Sequence, residues 1–376
     1  MSNGVGDIRT FYQNTEVLCL DRLREALDRK TGLFSRQLRH GRWEPTMGTE
    51  EMTSTAICLI SICRSGTDPK RIDLDCGAAM DALVESGRRL GYRGGAGLVI
   101  WANAVTEGPP LSELLRRLNV SLKDATGHVA QITTMETAWL VSGLAHEYSR
   151  DPSEWTRRML GEVVEGLLSR FDPQACLFHH ASESAPLKHR LRRHLPNFAD
   201  QIYPVQACSH AGAVGVPQAL RAAGDCAARL VELQGELGQW WWHYNSRTGA
   251  VAQPYPVYSV HQHAMAPMAL MGLTAAGGED FTAAIVRSLA WISDNELGVD
   301  LLDGHTGTIW RDIEVKESSP RRLVRTAGSL LGGEVVPDSM SADDLTVNYE
   351  TRPYEWGWCM FAGALACGVE AEHFLC

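Results

Sequence analysis

The sequence predicts an all-α fold, an (α/α)5–6 toroid of helical hairpins with an inner helix ring set inside an outer one. Three observations carry this. A short turn recurs as Gly32-Leu33-Phe34, Gly97-Leu98-Val99-Ile100-Trp101, Cys176-Leu177-Phe178, Gly238-Gln239-Trp240-Trp241-Trp242 and Gly307-Thr308-Ile309-Trp310. Its spacing of roughly 60 to 80 residues leaves room for two helices and their connections. Between the turns, charged amphipathic helices alternate with helices apolar nearly all round, which must be buried. The last helix, 354–367, is among the most apolar, unlike the polar cap that ends an open superhelix, so the ring is expected to close.

Taken in order, the outer helices are expected over 16–30, 73–92, 153–171, 216–233 and 280–295. In the third, Trp155, Met159, Leu160, Val163, Val164, Leu167 and Leu168 make one wide stripe. The inner helices are expected over 52–63, 128–145, 200–213, 257–273 and 347–367. Ile202-Tyr203-Pro204-Val205 and Pro254-Tyr255-Pro256-Val257 read as matching entries, each followed by histidine (His210, His261), and Thr351-Arg352-Pro353-Tyr354 is similar. Proline suits a first helical turn, where its missing amide would have no partner. These entries place polar clusters at one mouth of the ring.

Composition narrows the possibilities. The 376 residues are 44% hydrophobic and show no linker, so one domain over 1–376 is expected. A net charge of −10 gives no basic face for nucleic acid. No apolar run approaches the ~20 residues of a membrane span, and Met1–Asp7 does not read as a secretory leader. The ten cysteines contain no Cys-x-x-Cys and read as small buried hydrophobes in a cytoplasmic protein.

The turns, above all Gly235-Glu236-Leu237-Gly238-Gln239-Trp240 and Thr31-Gly32-Leu33-Phe34, resemble those of the α/α toroids. These are the terpenoid-cyclase and protein-prenyltransferase superfamily and, as the rival, the six-hairpin carbohydrate enzymes. The resemblance implies an enzyme acting on a small molecule in a central cavity. Its first form implies carbocation chemistry on an isoprenoid, with Mg2+ if the substrate is a diphosphate. Its second implies a sugar lyase, epimerase or hydrolase.

Four groups of residues are candidates for the chemistry. His243, Tyr255, Tyr258, His261 and Gln262 concentrate imidazole and phenol groups that exchange protons near neutral pH. Asp343-Asp344 resembles the Asp-x-Asp-Asp acid of class II terpenoid cyclases, with Ser341 where the first Asp belongs; Glu50-Glu51 is a rival pair, and Glu51 a rival acid. Arg352, with Tyr349 and Tyr354, suits an anionic group, or else pairs with Glu350 or Glu355 to pin its helix. Trp240, Trp242, Trp356 and Tyr203 offer aromatic faces for a cation or a sugar ring, or fill gaps between hairpins. The basic run 188–194 is either a diphosphate clamp or a solvated face. No metal site is expected: Asp73-Leu74-Asp75-Cys76 falls on an outer helix, and His179-His180 lacks a carboxylate or Cys partner at ligand spacing.

Overall fold

The computed structural model describes residues 3–120, 127–316 and 341–368; the one-domain expectation for 1–376 also takes in residues outside these ranges. Among the described residues, apart from the single helical turn Leu187–Arg190, twelve helices alternate between an outer and an inner position. They are α1 (Asn3–Ala26), α2 (Glu50–Arg64), α3 (Cys76–Leu90), α4 (Ala96–Val105), α5 (Leu111–Arg117), α6 (Thr134–Arg150), α7 (Glu154–Leu168), α8 (Ala199–Ala213), α9 (Pro217–Glu232), α10 (Ala266–Ala275), α11 (Thr282–Ala290) and α12 (Pro353–Ala366). Odd numbers lie outside and even numbers inside. In α7 and α9 only one stripe is buried, whereas α4 is buried from Ala96 through Ala104.

The inner helices close a ring. Helix α2 packs on α4, α4 on α6, α6 on α8, α8 on α10, α10 on α12, and α12 returns to α2. Outer α1 seals the seam by packing on α12 and α11. The fold is an (α/α)6 toroid.

The segment 97–101 departs from the turn read in the sequence: it lies in the N-terminal half of inner helix α4. Its glycine serves close approach rather than chain reversal. A Cβ on Gly97 would lie 2.3 Å from the Leu140 nitrogen, and one on Gly143 would lie 2.5 Å from the Gly97 oxygen. Helices α4 and α6 therefore cross backbone to backbone, at a distance only glycine permits. This unrecognised helix is the sixth inner member of the ring.

Three of the other recurring turns, at Gly32, Cys176 and Gly307, are β-hairpins with a shared chemistry. Leu27–Asp28 pairs with Leu33–Phe34, Phe171–Asp172 with Leu177–Phe178, and Leu302–Asp303 with Thr308–Ile309. Gly238–Trp242, read as a turn of the same kind, is instead irregular chain that leads into a fourth hairpin, His243–Asn245 with Ala250–Gln253. In each, an Asx Oδ1 accepts a backbone N–H two residues on: Asp28 from Lys30, Asp172 from Gln174, Asn245 from Arg247 and Asp303 from His305. Four residues past the Asx stands a left-handed residue, Gly32, Cys176, Gly249 or Gly307. Each hairpin hands the chain from an outer helix to the start of the next inner one. The inner N-termini consequently gather at one mouth.

Three predicted entries move. Helix α8 begins at Ala199, so Pro204 lies inside the helix. Val257–Tyr258 is a strand paired with Asp312–Ile313, and helix begins only at the π-helical turn His261–Met265 that runs into α10. Residues 345–348 form a strand against Asp312–Val315, so the last inner helix starts at Pro353 rather than at 347. No described helix is long and apolar enough to cross a membrane.

Candidate functional site

A cavity of about 310 Å3 opens where the inner N-termini meet. Its residues come from the N-terminal halves of four inner helices and the segments leading into the inner helices. Thr53 and Ile57 belong to α2, Met135 and Trp139 to α6, Ala199 and Tyr203 to α8, and Tyr354 to α12. Tyr92 precedes α4; Val260, His261 and Met265 precede α10; Asn197, Trp242, Tyr258 and Arg311 reach in from connections. This volume is at the lower end of the ~300–1,000 Å3 of small-molecule sites.

The walls are aromatic and the chemistry sits on one side. His261 lies between rings: its centroid is 4.6 Å from Phe198, 5.1 Å from Tyr258 and 6.2 Å from Trp242, the last nearly parallel at 14°. Its Nδ1 is buried without a hydrogen-bond partner. Burial, then the nearby Arg311 and His263, push its pKa down to about 3, so the imidazole is neutral at physiological pH. Burial pushes the Tyr258 phenol up, with Asp312 adding to the effect, so it stays protonated. In these forms the imidazole can accept a hydrogen bond and the phenol can give one, although the same burial makes the first a weak base and the second a weak acid.

Arg311 is the charged residue of the wall, and it is heavily engaged. Its guanidinium lies 5.1 Å over the Tyr258 ring. Nε is 3.1 Å from Glu350 Oε1 and 3.6 Å from Asp312 Oδ2, and Nη1 is 3.1 Å from Glu355 Oε1. Burial raises Asp312 to about 7, with Arg311 opposing and Glu314 adding to the rise. Burial also raises Glu355, against the pull of Arg311 and Arg352.

Of the residues singled out in the sequence, Tyr203, Trp242, Tyr258, His261 and Tyr354 meet in this cavity. The others lie elsewhere. Asp343 and Asp344 occupy an exposed turn, where Asp344 accepts from the Ser341 hydroxyl at 2.8 Å. They lead into a strand, so neither stands at an inner-helix head. Glu51 turns outward, accepting from Ser86 Oγ at 2.8 Å and pairing with Arg89, beside a separate cleft. Arg352 caps α12 and pairs with Glu350 at 3.1 Å and Glu50 at 3.6 Å. It is the pinning ion pair. Tyr349 is 58% exposed against Trp310.

Four further residues make hydrogen bonds outside the cavity lining. Trp240 Nε1 donates to Ser288 Oγ at 2.7 Å, and Gln262 Oε1 accepts from the Trp240 amide. His243 Nδ1 is 2.6 Å from Gln253 Oε1, and Tyr255 donates to Glu296 at 2.7 Å. Trp356 is buried in the core. In the basic run, Arg192 meets His243 and Arg193 pairs with Glu183. His180 does have a carboxylate partner, Asp200 Oδ2 at 2.7 Å, supplied by α8 rather than by neighbouring sequence. Among the described residues, no cluster of three or more His, Cys, Asp or Glu is arranged to hold a metal.

Sequence reasoning missed Arg311, Tyr92, Trp139, Met135, Asn197 and Thr53. For Arg311 a signal existed: Trp310-Arg311-Asp312 directly follows the recurring Gly307 turn, so a charged pair enters where the repeat delivers the chain to the hub. The rest carry no mark beyond lying in or just ahead of the opening turns of an inner helix.

No protein-family model and no curated protein matches the chain. Solved structures do. An unsaturated glucuronyl hydrolase specific for heparin is 11% identical, with 96% of this chain and 97% of that one covered and a TM-score of 0.61. A sugar epimerase from a ruminal bacterium is 11% identical over 96% and 100%, with a TM-score of 0.58. The unsaturated glucuronyl hydrolase of Bacillus sp. GL1 is 11% identical over 94% and 96%, with a TM-score of 0.56. At such identity the likeness is one of fold. It falls on the six-hairpin carbohydrate enzymes, the rival of the two resemblances. The terpenoid-cyclase expectation gains nothing from these structures, and its acidic pair stands outside the cavity.

Proposed function

We propose that the chain is a carbohydrate-active enzyme that moves a proton on a sugar held in the hub cavity, as an epimerase or lyase does. The observation that carries this is the pairing of neutral His261 with the protonated Tyr258 phenol, ring centroids 5.1 Å apart, on a wall that also holds Trp242 and Trp139. Flat aromatic faces suit the apolar face of a sugar ring, and Asn197 and Thr53 supply hydrogen bonds to hydroxyls. His261 takes a proton from a carbon next to a carbonyl group. Tyr258 donates to the oxygen on which charge develops. Arg311, stacked on Tyr258 and bound by Glu350 and Glu355, holds the phenol in place.

Glycoside hydrolysis by two carboxylates fits less well, since among the described residues the wall presents none. Fold likeness to a sugar epimerase supports the reading as analogy only.

The test is incubation with a panel of mono- and oligosaccharides in deuterated water, followed by NMR. Exchange of one carbon-bound proton, or an epimeric or unsaturated product, is expected. His261→Gln should lower the rate by ~10²–10⁴-fold. Hydrolysis without carbon–hydrogen exchange, or turnover of prenyl diphosphates in place of sugars, would overturn the proposal.

A further inference from the structure

We infer that the cavity selects an uncharged sugar and discriminates against uronates and other anionic saccharides. The inference rests on the sugar reading above and names the substrate class of that site. Arg311 is the charged group in the wall, and a lone arginine there would invite a carboxylate. This arginine is already spoken for. Glu350 and Glu355 sit 3.1 Å from its nitrogens and Asp312 3.6 Å away. Behind them, Arg352 divides itself between Glu350 and Glu50, and Glu50 also takes Arg36 at 3.0 Å. Among the described residues, each arginine in this chain of pairs already has a carboxyl group beside it.

The inner-helix N-termini are a second source of positive potential at the mouth. Most of them are also answered from within. Helix α2 opens with Glu50 and Glu51, and α8 carries Asp200 in its first turn. Glu136 closes a capping box on α6 and also accepts the Tyr92 phenol at 2.6 Å; Glu355 closes one on α12. A uronate bound at Arg311 would approach Glu350 and Glu355 just behind the guanidinium. Weak solvent screening in such a site makes that repulsion count. A neutral sugar meets no such penalty, because hydroxyl groups bond to Asn197, Thr53 and tyrosines without a charge to match.

The test is binding of matched pairs, glucose with glucuronate and galactose with galacturonate, by saturation-transfer NMR titration at low salt. The neutral member should bind at least about tenfold tighter. Glu350→Gln frees one face of Arg311 and should narrow the gap; Asp312→Asn serves in its place if Glu350→Gln does not fold. Uronates binding as tightly as neutral sugars would overturn the inference and leave the sugar reading standing. A gap unchanged in a folded variant would also overturn it, since the discrimination would then lie elsewhere. Binding of neither member of either pair would bring down the sugar reading and this inference with it.

Discussion

Replacing His261 with glutamine isolates the energetic cost of keeping that imidazole neutral. In the folded protein its pKa is about 3, because it is buried among Phe198, Trp242 and Tyr258 and faces Arg311 and His263. In the unfolded chain it returns to ~6.5. The folded-state value is depressed, so this group's contribution is fully present above pH 6.5 and is lost as pH falls toward 3. Over the 1.5 units from 6.5 to 5 the unfolded chain binds a proton that the folded one refuses. At ~1.4 kcal/mol per unit the loss is about 2 kcal/mol. His261→Gln cannot take up that proton. Urea unfolding followed by tryptophan fluorescence at pH 7.5 and pH 5 should show the wild type losing about 2 kcal/mol more than the variant. Stability curves that stay parallel from pH 7.5 to 5 would refute the neutral, buried imidazole.

Other expected outcomes follow from the same geometry. Gly97→Ala should destabilise by ~1–3 kcal/mol or more, because the new Cβ meets the α6 backbone at 2.3 Å; Gly161→Ala, in open space on α7, should raise the melting temperature slightly. Arg311→Met strands buried Glu350 and Glu355 and should cost ~3–5 kcal/mol at neutral pH, with part of the loss recovered at pH 5 as carboxylates protonate; thermal unfolding at the two pH values checks this. Asp312 has a raised folded pKa of about 7, so its contribution is present below ~4 and lost as pH rises to 7. Asp312→Asn should therefore gain on the wild type by up to ~1.4 kcal/mol per pH unit over that window, as read from paired denaturation curves.

Helix existence and the inside/outside alternation were legible because they follow from side-chain periodicity, which is local. The 153–171 stripe became α7, buried on the face predicted. Where glycine was the cue, the reading divided. Gly32 and Gly307 have positive φ and do end turns, whereas Gly97 lies in a buried helix and permits contact with a segment more than forty residues away. A glycine's letter does not say which of its two uses applies. That ambiguity cost one inner helix and left the ring size open between five and six.

The candidate site was legible only in part, for a related reason. Tyr258 and His261 announced themselves by density of titratable groups. Arg352 and Arg311 carry equal charge and lie near equally suggestive neighbours, yet one pins a helix and the other faces the hub. Asp343-Asp344 had the composition of a catalytic pair and took an exposed turn, because strand pairing between 312–315 and 345–348 claims the segment that helical reading had assigned to α12. By itself the sequence determined a toroid of paired helices with imidazole and phenol groups at inner-helix entries, since amphipathic period and turn chemistry act over a few residues. The tertiary structure alone decided which side chains share the cavity and which charges cancel there. Ring closure brings α2 beside α12 from opposite ends of the chain, and Coulomb compensation depends on distances that no sequence spacing records.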